Sequence, residues 1–599
     1  MAEKIISPGV FTKEIDQSFL PAGVQAIGAA VIGPTSKGPA MIPTTVSSYS
    51  EFVNIFGGKF ESGSGAAAAS YKYLTNYSAQ EYLKYADTLT VVRVLDGAFS
   101  PASASIYTAS SCVDDPTGNE GARVFDLVTL SDGADQNSAP TSSVGLPSTA
   151  PYGSNNILVS GSANNIRYEI NNVNNAKGTF QLLIRRGDDS DNRKKIVEQY
   201  NNLTLDPNTS NYIEKVIGTA NATFNANGST GDPFIAYTGD YPNRSKFVRV
   251  SAVHKKTLNY LDENGTIRDN HLSASLPAAH SGGFDGGNDG DVLHPRAMYE
   301  NISDTNNQGL TMATITEYGD AIDLLRNQDE YDINLLTLPG LCDQDTNHAA
   351  VLTKAINMVE DRADCFLVID PVRHGQTSIA QVTAKAEARD SNYVAEYWPW
   401  IKIPDNELGK NVWVPASTVI PSVYAFNDRV AAPWFAPAGL NRGGIDIAVM
   451  AERKLTHSNR DTLYDSNVNP IATFPNAGVT VFGQKTLQKK ASALDRVNVR
   501  RLLITAKKFI ASTTKFLIFE NNTAATRNRF LSIVNPYFEN VQQRQGLYAF
   551  KVVMDESNNT PDVIDRNEMR GQIFLQPAKT AEFIIIDFNI MPTGAAFPE

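Results

Sequence analysis

Cysteine is scarce in this 599-residue chain, with only Cys112, Cys342 and Cys365 present. An odd number without paired spacing fits neither a disulfide framework nor a zinc site, and points to a reducing compartment. Histidine is thin as well: the seven are scattered, with no HExxH or comparable pair, so a zinc hydrolase has no ligand set. No apolar run approaches the roughly 18 residues of a membrane span. Pro8 and Gly9 interrupt the N-terminus before any stretch long enough for a secretory signal. The expectation is a soluble protein made in a cytoplasm, with no membrane insertion. Positive charge is also in deficit, 52 Lys+Arg against 64 Asp+Glu for a net charge of −12, which argues against a general nucleic-acid binder.

Catalytic motifs are missing too. GxSxG does not occur, so nothing marks a nucleophile elbow. Gly478 to Thr486, GVTVFGQKT, comes near a phosphate-cradling loop, but Gln484 is inserted before Lys485 and the following QKKASALD is a poor helix start. Ser281 to Asp291, SGGFDGGNDGD, has the composition of a calcium loop without its ligand spacing or closing glutamate, and reads as a glycine-rich turn. Arg186-Gly187-Asp188 reads as a coincidence within a turn. The expectation is no enzyme, no catalytic residue, no metal and no cofactor.

What is there suggests an α/β (α+β) multidomain chain, since 599 residues exceed what one hydrophobic core serves. Residues 1–20 read as an extended arm, broken by Pro8-Gly9, with Val10, Phe11 and Ile15 as its apolar contacts. Residues 21–98 read as the first part of an α/β core, with a helix near 47–56 and the strand TLTVVRVL. From 99 to 299 the composition shifts to Ser, Thr, Asn, Asp and Gly around short strand candidates such as RVFDLVTL and TFQLLIRR, giving one or two β-rich inserted modules. Residues 300–410 alternate helices and buried strands, as a parallel sheet does. Residues 411–599 give two helices, near 499–519 and 524–543, then strands at LYAFKVVM, QIFLQP and EFIIIDFNI. Trp398, Trp400, Trp413 and Trp434 fall in one segment, either as ordinary core or as packing at a junction.

The first of those two helices is two-faced. At about 100° per residue, Leu502, Leu503, Ala506, Phe509, Ile510, Phe516 and Leu517 share one arc, and Arg500, Arg501, Lys507, Lys508 and Lys515 the other. With Lys485 upstream, the cations read either as a solvated face or as a docking surface for an acidic partner, where charge guides register and approach.

Several stretches in fixed order resemble the contractile tail sheath family of phages. They are Ser7-Pro8-Gly9-Val10, Gly33, Lys37-Gly38-Pro39 and Phe52 to Gly57, then Ala436 to Gly439, Leu463-Tyr464, Asn467 to Ile471 and Gly478 to Leu487. Asn498 to Leu502, Phe519 to Asn522, Gly546 to Asn567, Pro577-Ala578 and Glu582-Phe583-Ile584 follow. Residues 21–95 and 300–410 match more loosely and the inserted region hardly at all. The resemblance implies a sheath core built from both chain ends with outward-facing inserted domains. It implies a homo-oligomer of hexameric rings stacked helically around a tail tube protein, joined to baseplate and neck or terminator proteins, with no nucleic acid. It implies contraction that drives the tube through a host envelope, assembly in the bacterial cytoplasm and a place in the virion tail. Both termini are expected to add strands to neighbours, the C-terminal one through Phe583, Ile584, Ile585, Ile586 and Phe588, and the cationic arc to face the tube. Alternatives are the sheath of a phage-derived bacteriocin or other contractile injection system, or, in a different class, a β-rich adhesin or receptor-binding tail protein.

Overall fold

A computed structural model of the chain describes residues 28–62, 69–109, 120–138, 161–226, 232–271, 275–292, 302–312, 316–475 and 477–582. Its centre is an eight-stranded sheet in the order Thr44–Val46, Leu89–Arg93, Gly28–Gly33, Ile333–Cys342, Phe366–Asp370, Val394–Trp398, Val468–Phe474, Gly478–Val481. The six inner strands are parallel and the two edge strands antiparallel. Strands such as GAAVIG and FLVID are buried on both faces, which is why they read as continuous apolar runs rather than as alternation. The Gly28–Gly33 strand, from near the start of the chain, lies directly against Ile333–Cys342, some 300 residues later. The sheet thus draws on residues from both sides of the long middle section.

Helices cover both faces. Leu74–Tyr82 and Ala416–Val430 pack on one side with Val31, Val91 and Val368. Thr316–Leu324, Thr346–Arg362 and Ile379–Glu387 pack on the other with Ile32, Leu336 and Leu367. The Ala416–Val430 helix escapes sequence reading because Pro421 lies inside it. Proline removes the amide that would bond the carbonyl four residues earlier. That carbonyl, of Ser417, instead accepts the Thr337 hydroxyl of the sheet at 3.0 Å. The tryptophans are shared between layers: Trp398 and Trp400 point into opposite faces of the sheet, and Trp434 into a third cluster further along the chain.

The middle section is almost all β. One four-stranded sheet contains Phe99–Tyr107, Arg123–Asp132, Val248–Val253 and Asn288–Asp289. A second contains Ile166–Asn174, Thr179–Arg186, Ile196–Leu203 and His280–Gly283. Both contribute to one apolar cluster around Phe125, Phe180, Ile184 and Val250. The section is joined to the central sheet by the buried Arg93, whose Nη1 donates to the carbonyls of Gly38 (2.7 Å) and Asp132 (2.8 Å). Its two ends meet where the Asp291 amide donates to the Asp96 carbonyl at 2.8 Å.

Beyond the sheet lie the helices Val497–Thr514 and Ala524–Gln543 and the hairpin Leu547–Val553 with Gln572–Pro577. They pack around Trp434, Leu502, Val534, Phe538 and Val541.

Candidate intersubunit surfaces

The cationic helix, expected to expose one arc, is covered on both sides. It runs Val497–Thr514 and ends in a short 3-10 turn, Lys515–Leu517, rather than continuing to Phe519. Leu502 and Ala506 face the C-terminal cluster, while Val497 and Ile504 join the core beneath the sheet. Arg500, Arg501 and Lys508 are buried between these two layers. Arg501 reaches Asp428 through both terminal nitrogens, Nη1 to Oδ1 at 2.9 Å, and its guanidinium lies 4.6 Å from the Tyr424 ring centroid. Burial lowers its pKa, and the Asp428 carboxylate more than offsets this, so it is held above the ordinary arginine range. Lys508 bonds Asp332 and the Ile333 carbonyl and lies 3.4 Å from Asp364. Arg500 stacks over Tyr393 at 4.1 Å and donates to the Asn392 side chain at 2.6 Å; burial lowers its pKa.

Of the cations expected to face a partner, Lys507 and Lys515 are exposed, the latter 3.0 Å from exposed Asp329. Phe516, expected to pack, is 82% exposed, because the helix has already ended and the chain turns away. With Ile518 and Phe519 it forms an apolar knuckle.

Lys485 is used internally: its Nζ donates to the Tyr464 carbonyl at 2.7 Å and sits 4.6 Å over the Tyr464 ring. Burial, then the charge of Arg496, lowers its pKa. Gly478–Val481 is an edge strand and no α-helix follows until Val497, so the segment is not built as a phosphate cradle. The Asp-Gly run of 281–291 sends its carboxylates apart. Asp289 accepts the Ala134 amide at 3.1 Å, while Asp285 pairs through its backbone with Ser103. Among the described residues no group of three or more His, Cys, Asp or Glu could hold a metal ion. Arg186 and Asp188 pair with each other at 2.6 Å.

At the carboxyl ends of the parallel strands, where open α/β sheets bind ligands, two carboxylates are bonded within the chain. Asp343 pairs with Arg389 and Asp370 bonds the Ser417 amide. Burial pushes the Asp370 carboxyl up to about 7, against the bonds from Ser417. Burial, only partly countered by Asp304, holds His348 down at about 4.

The C-terminal hairpin has a different character. Leu547, Phe550, Val552, Ile573 and Leu575 turn towards Phe530 and Phe538, while Tyr548 and Phe574 lie 65% and 56% exposed on the other side. Among the described residues neither outer edge of this two-stranded sheet pairs with a third strand. The arm residues Val10, Phe11 and Ile15 and the terminal residues Phe583, Ile584, Ile585, Ile586 and Phe588 lie outside the described residues, as does Cys112.

Comparison with known proteins places these elements. Residues 313–487 match the family described as Phage tail sheath protein central domain, and residues 489–591 match Phage tail sheath C-terminal domain. A tail sheath protein of Vibrio phage KVP40 is 39% identical over 233 residues, covering 39% of this chain and 34% of its own. The tail sheath protein of Enterobacteria phage T4 is 29% identical over 304 residues, covering 47% and 45%. The chain thus spans a third to a half of the length of these relatives. In fold, a sheath tail protein from Listeria innocua superposes with a TM-score of 0.51 at 11% identity, covering 92% of this chain and 96% of that one.

Proposed function

The chain belongs to the contractile phage tail sheath family through its residues 313–591, and from that premise we infer that it is a structural subunit of a contractile tail. It polymerises with copies of itself as hexameric rings stacked around a tail tube, between a baseplate and a neck or terminator. It shortens by rearrangement of the same subunits, drives the tube through the host envelope, and consumes no nucleotide. It is assembled in the bacterial cytoplasm and ends in the virion tail.

The observation that carries this reading is the hairpin Leu547–Val553 with Gln572–Pro577, a two-stranded sheet with neither edge paired among the described residues and two large aromatic side chains exposed. Such a sheet is marginal by itself, and an open edge is a template for a strand from another chain. Strands added by the arms of neighbouring copies would complete it. Main-chain ladders hold while whole bodies rotate, which suits a machine that shortens by rigid movement. The contact expected with the tube narrows to Lys507 and Lys515, which are exposed, because Arg500, Arg501 and Lys508 are buried against partners within the chain.

Electron microscopy of the purified chain tests this directly. Hollow helical tubes or stacked rings are expected at raised protein concentration. A monomer that stays monomeric up to about 100 times the concentration at which a nanomolar assembly forms would overturn it.

A further inference from the structure

Glu582 is held by four side-chain bonds from three different elements. Arg496, which precedes the Val497–Thr514 helix, donates from Nε to Oε1 at 2.8 Å and from Nη2 to Oε2 at 3.0 Å. Tyr464, from the helix His457–Asp465, donates its hydroxyl to Oε2 at 2.9 Å. Gln484, just past the edge strand of the central sheet, donates from Nε2 to Oε1 at 3.1 Å, and also lies 2.7 Å from the Thr580 hydroxyl. The clamp itself is braced, since Lys485 lies over the Tyr464 ring and bonds its carbonyl. Gly483 sits where an added Cβ would come within 3.0 Å of Asn469 and Tyr464, so the chain approaches its neighbours too closely there for any other residue.

The position of this carboxylate matters as much as its bonds. The hairpin's second strand ends at Pro577, and five residues later the chain has crossed from the C-terminal cluster to the edge of the central sheet, where Glu582 is gripped. No strand or helix holds residues 578–582. A bidentate arginine fixes the direction of a carboxylate as well as its place, and here the fixed group stands at the root of the seventeen residues 583–599. Beside it opens a groove of about 380 Å³ between Ala438, Arg460, Phe482 and the Thr580 to Glu582 segment.

We propose that the Arg496, Tyr464 and Gln484 clamp on Glu582 is the anchor that sets where the C-terminal extension leaves the body, so that a second copy of this chain receives it in one register. This rests on the reading that the extension pairs with a neighbour. Without the clamp the extension would hang from Pro577, five residues further back, and a longer loose tether lowers the effective concentration of its end and adds ordering cost on binding. Glu582 and Arg496 act on assembly as positioning residues, through the extension and not by touching the neighbour.

The test compares wild type with Glu582→Gln, Arg496→Met, Tyr464→Phe and a truncation after residue 582, measuring both the critical concentration for polymerisation and the urea midpoint of the monomer. Glu582→Gln and Arg496→Met are expected to raise the critical concentration about tenfold with an unchanged monomer midpoint. Tyr464→Phe, which removes one donor and no charge, is expected to raise it about two- to threefold, and the truncation to abolish polymers. If the truncation fails to polymerise but Glu582→Gln and Tyr464→Phe assemble as wild type does, the clamp is overturned and the paired extension stands. If the truncation assembles normally, the paired extension falls and takes the anchor with it.

Discussion

The eight-stranded sheet and the two-stranded hairpin use the same kinds of residue and leave them in opposite states. Phe366, Leu367, Val368 and Ile369 on one sheet strand are all buried, with helices on both sides. On the hairpin, Gln572–Pro577 alternates exposed and half-buried positions, with Phe574 mostly in solvent and no third strand beside it among the described residues. The sheet is complete within one chain. The hairpin is covered on one face only, and what it lacks is backbone partners rather than apolar surface. On the proposed reading the tasks of folding and polymerising are divided in this way, with cohesion in the helix-covered core and association at the edges of the hairpin.

The sharpest way to separate the two regions is to damage each in turn. Leu336→Ala, in a fully buried sheet position, should cost about 3 kcal/mol of monomer stability in urea unfolding, the transfer loss plus the cavity left behind. Asp428→Ala should cost about 2 kcal/mol by the same measurement, because Arg501 is left buried without its carboxylate; half-exposure of Asp428 keeps this below the figure for a fully buried pair. A loss within experimental error would return Arg501 to the pool of cations free to meet a partner. Phe574→Ser, on the outer side of the hairpin, should change the monomer by no more than about 0.5 kcal/mol while removing polymers from a sedimentation assay. If it destabilised the monomer as Leu336→Ala does, the hairpin would be part of the core and the division of tasks would fail.

The mixed architecture was open to reading because its signals are local. Residues 300–410 read as alternating helices and buried strands, as INLLTLP, FLVID and Thr346–Arg362 are, and the helix read near 524–543 is Ala524–Gln543. The Ala416–Val430 helix escaped because a single proline outweighs fourteen neighbours in any local rule, while the hydroxyl that compensates, Thr337, lies 80 residues away in sequence. The cationic helix misled for the same reason. A charged arc is visible in a window of eighteen residues, but Asp428 and Asp332, which neutralise Arg501 and Lys508, are 73 and 176 residues distant. The open hairpin was legible only as two strands, since nothing in its sequence states that a third is missing. Glu582 carried no signal of its own beyond its place in a family pattern, because three of its four bonds come from positions at least 86 residues earlier and the fourth from one 118 residues earlier.

One feature of the fold reaches past assembly. The middle section departs after Asp96 and returns at Asp291, where the Asp291 amide donates to the Asp96 carbonyl at 2.8 Å and Asn288 and Asp289 pair with Ser100 and Phe99. To the central sheet, nearly 200 residues therefore leave and return at one place, held there by Arg93 on the Asp132 carbonyl, the Asp132 carboxylate on the Ala40 amide and Asn164 on the Lys59 carbonyl. That is the geometry of a socket. A section fitted there needs adjacent ends and partners for the few groups that reach it, such as Arg93 and the Ala40 amide. A foreign domain with adjacent ends, joined at Asp96 and Asp291, is expected to leave the central sheet folded.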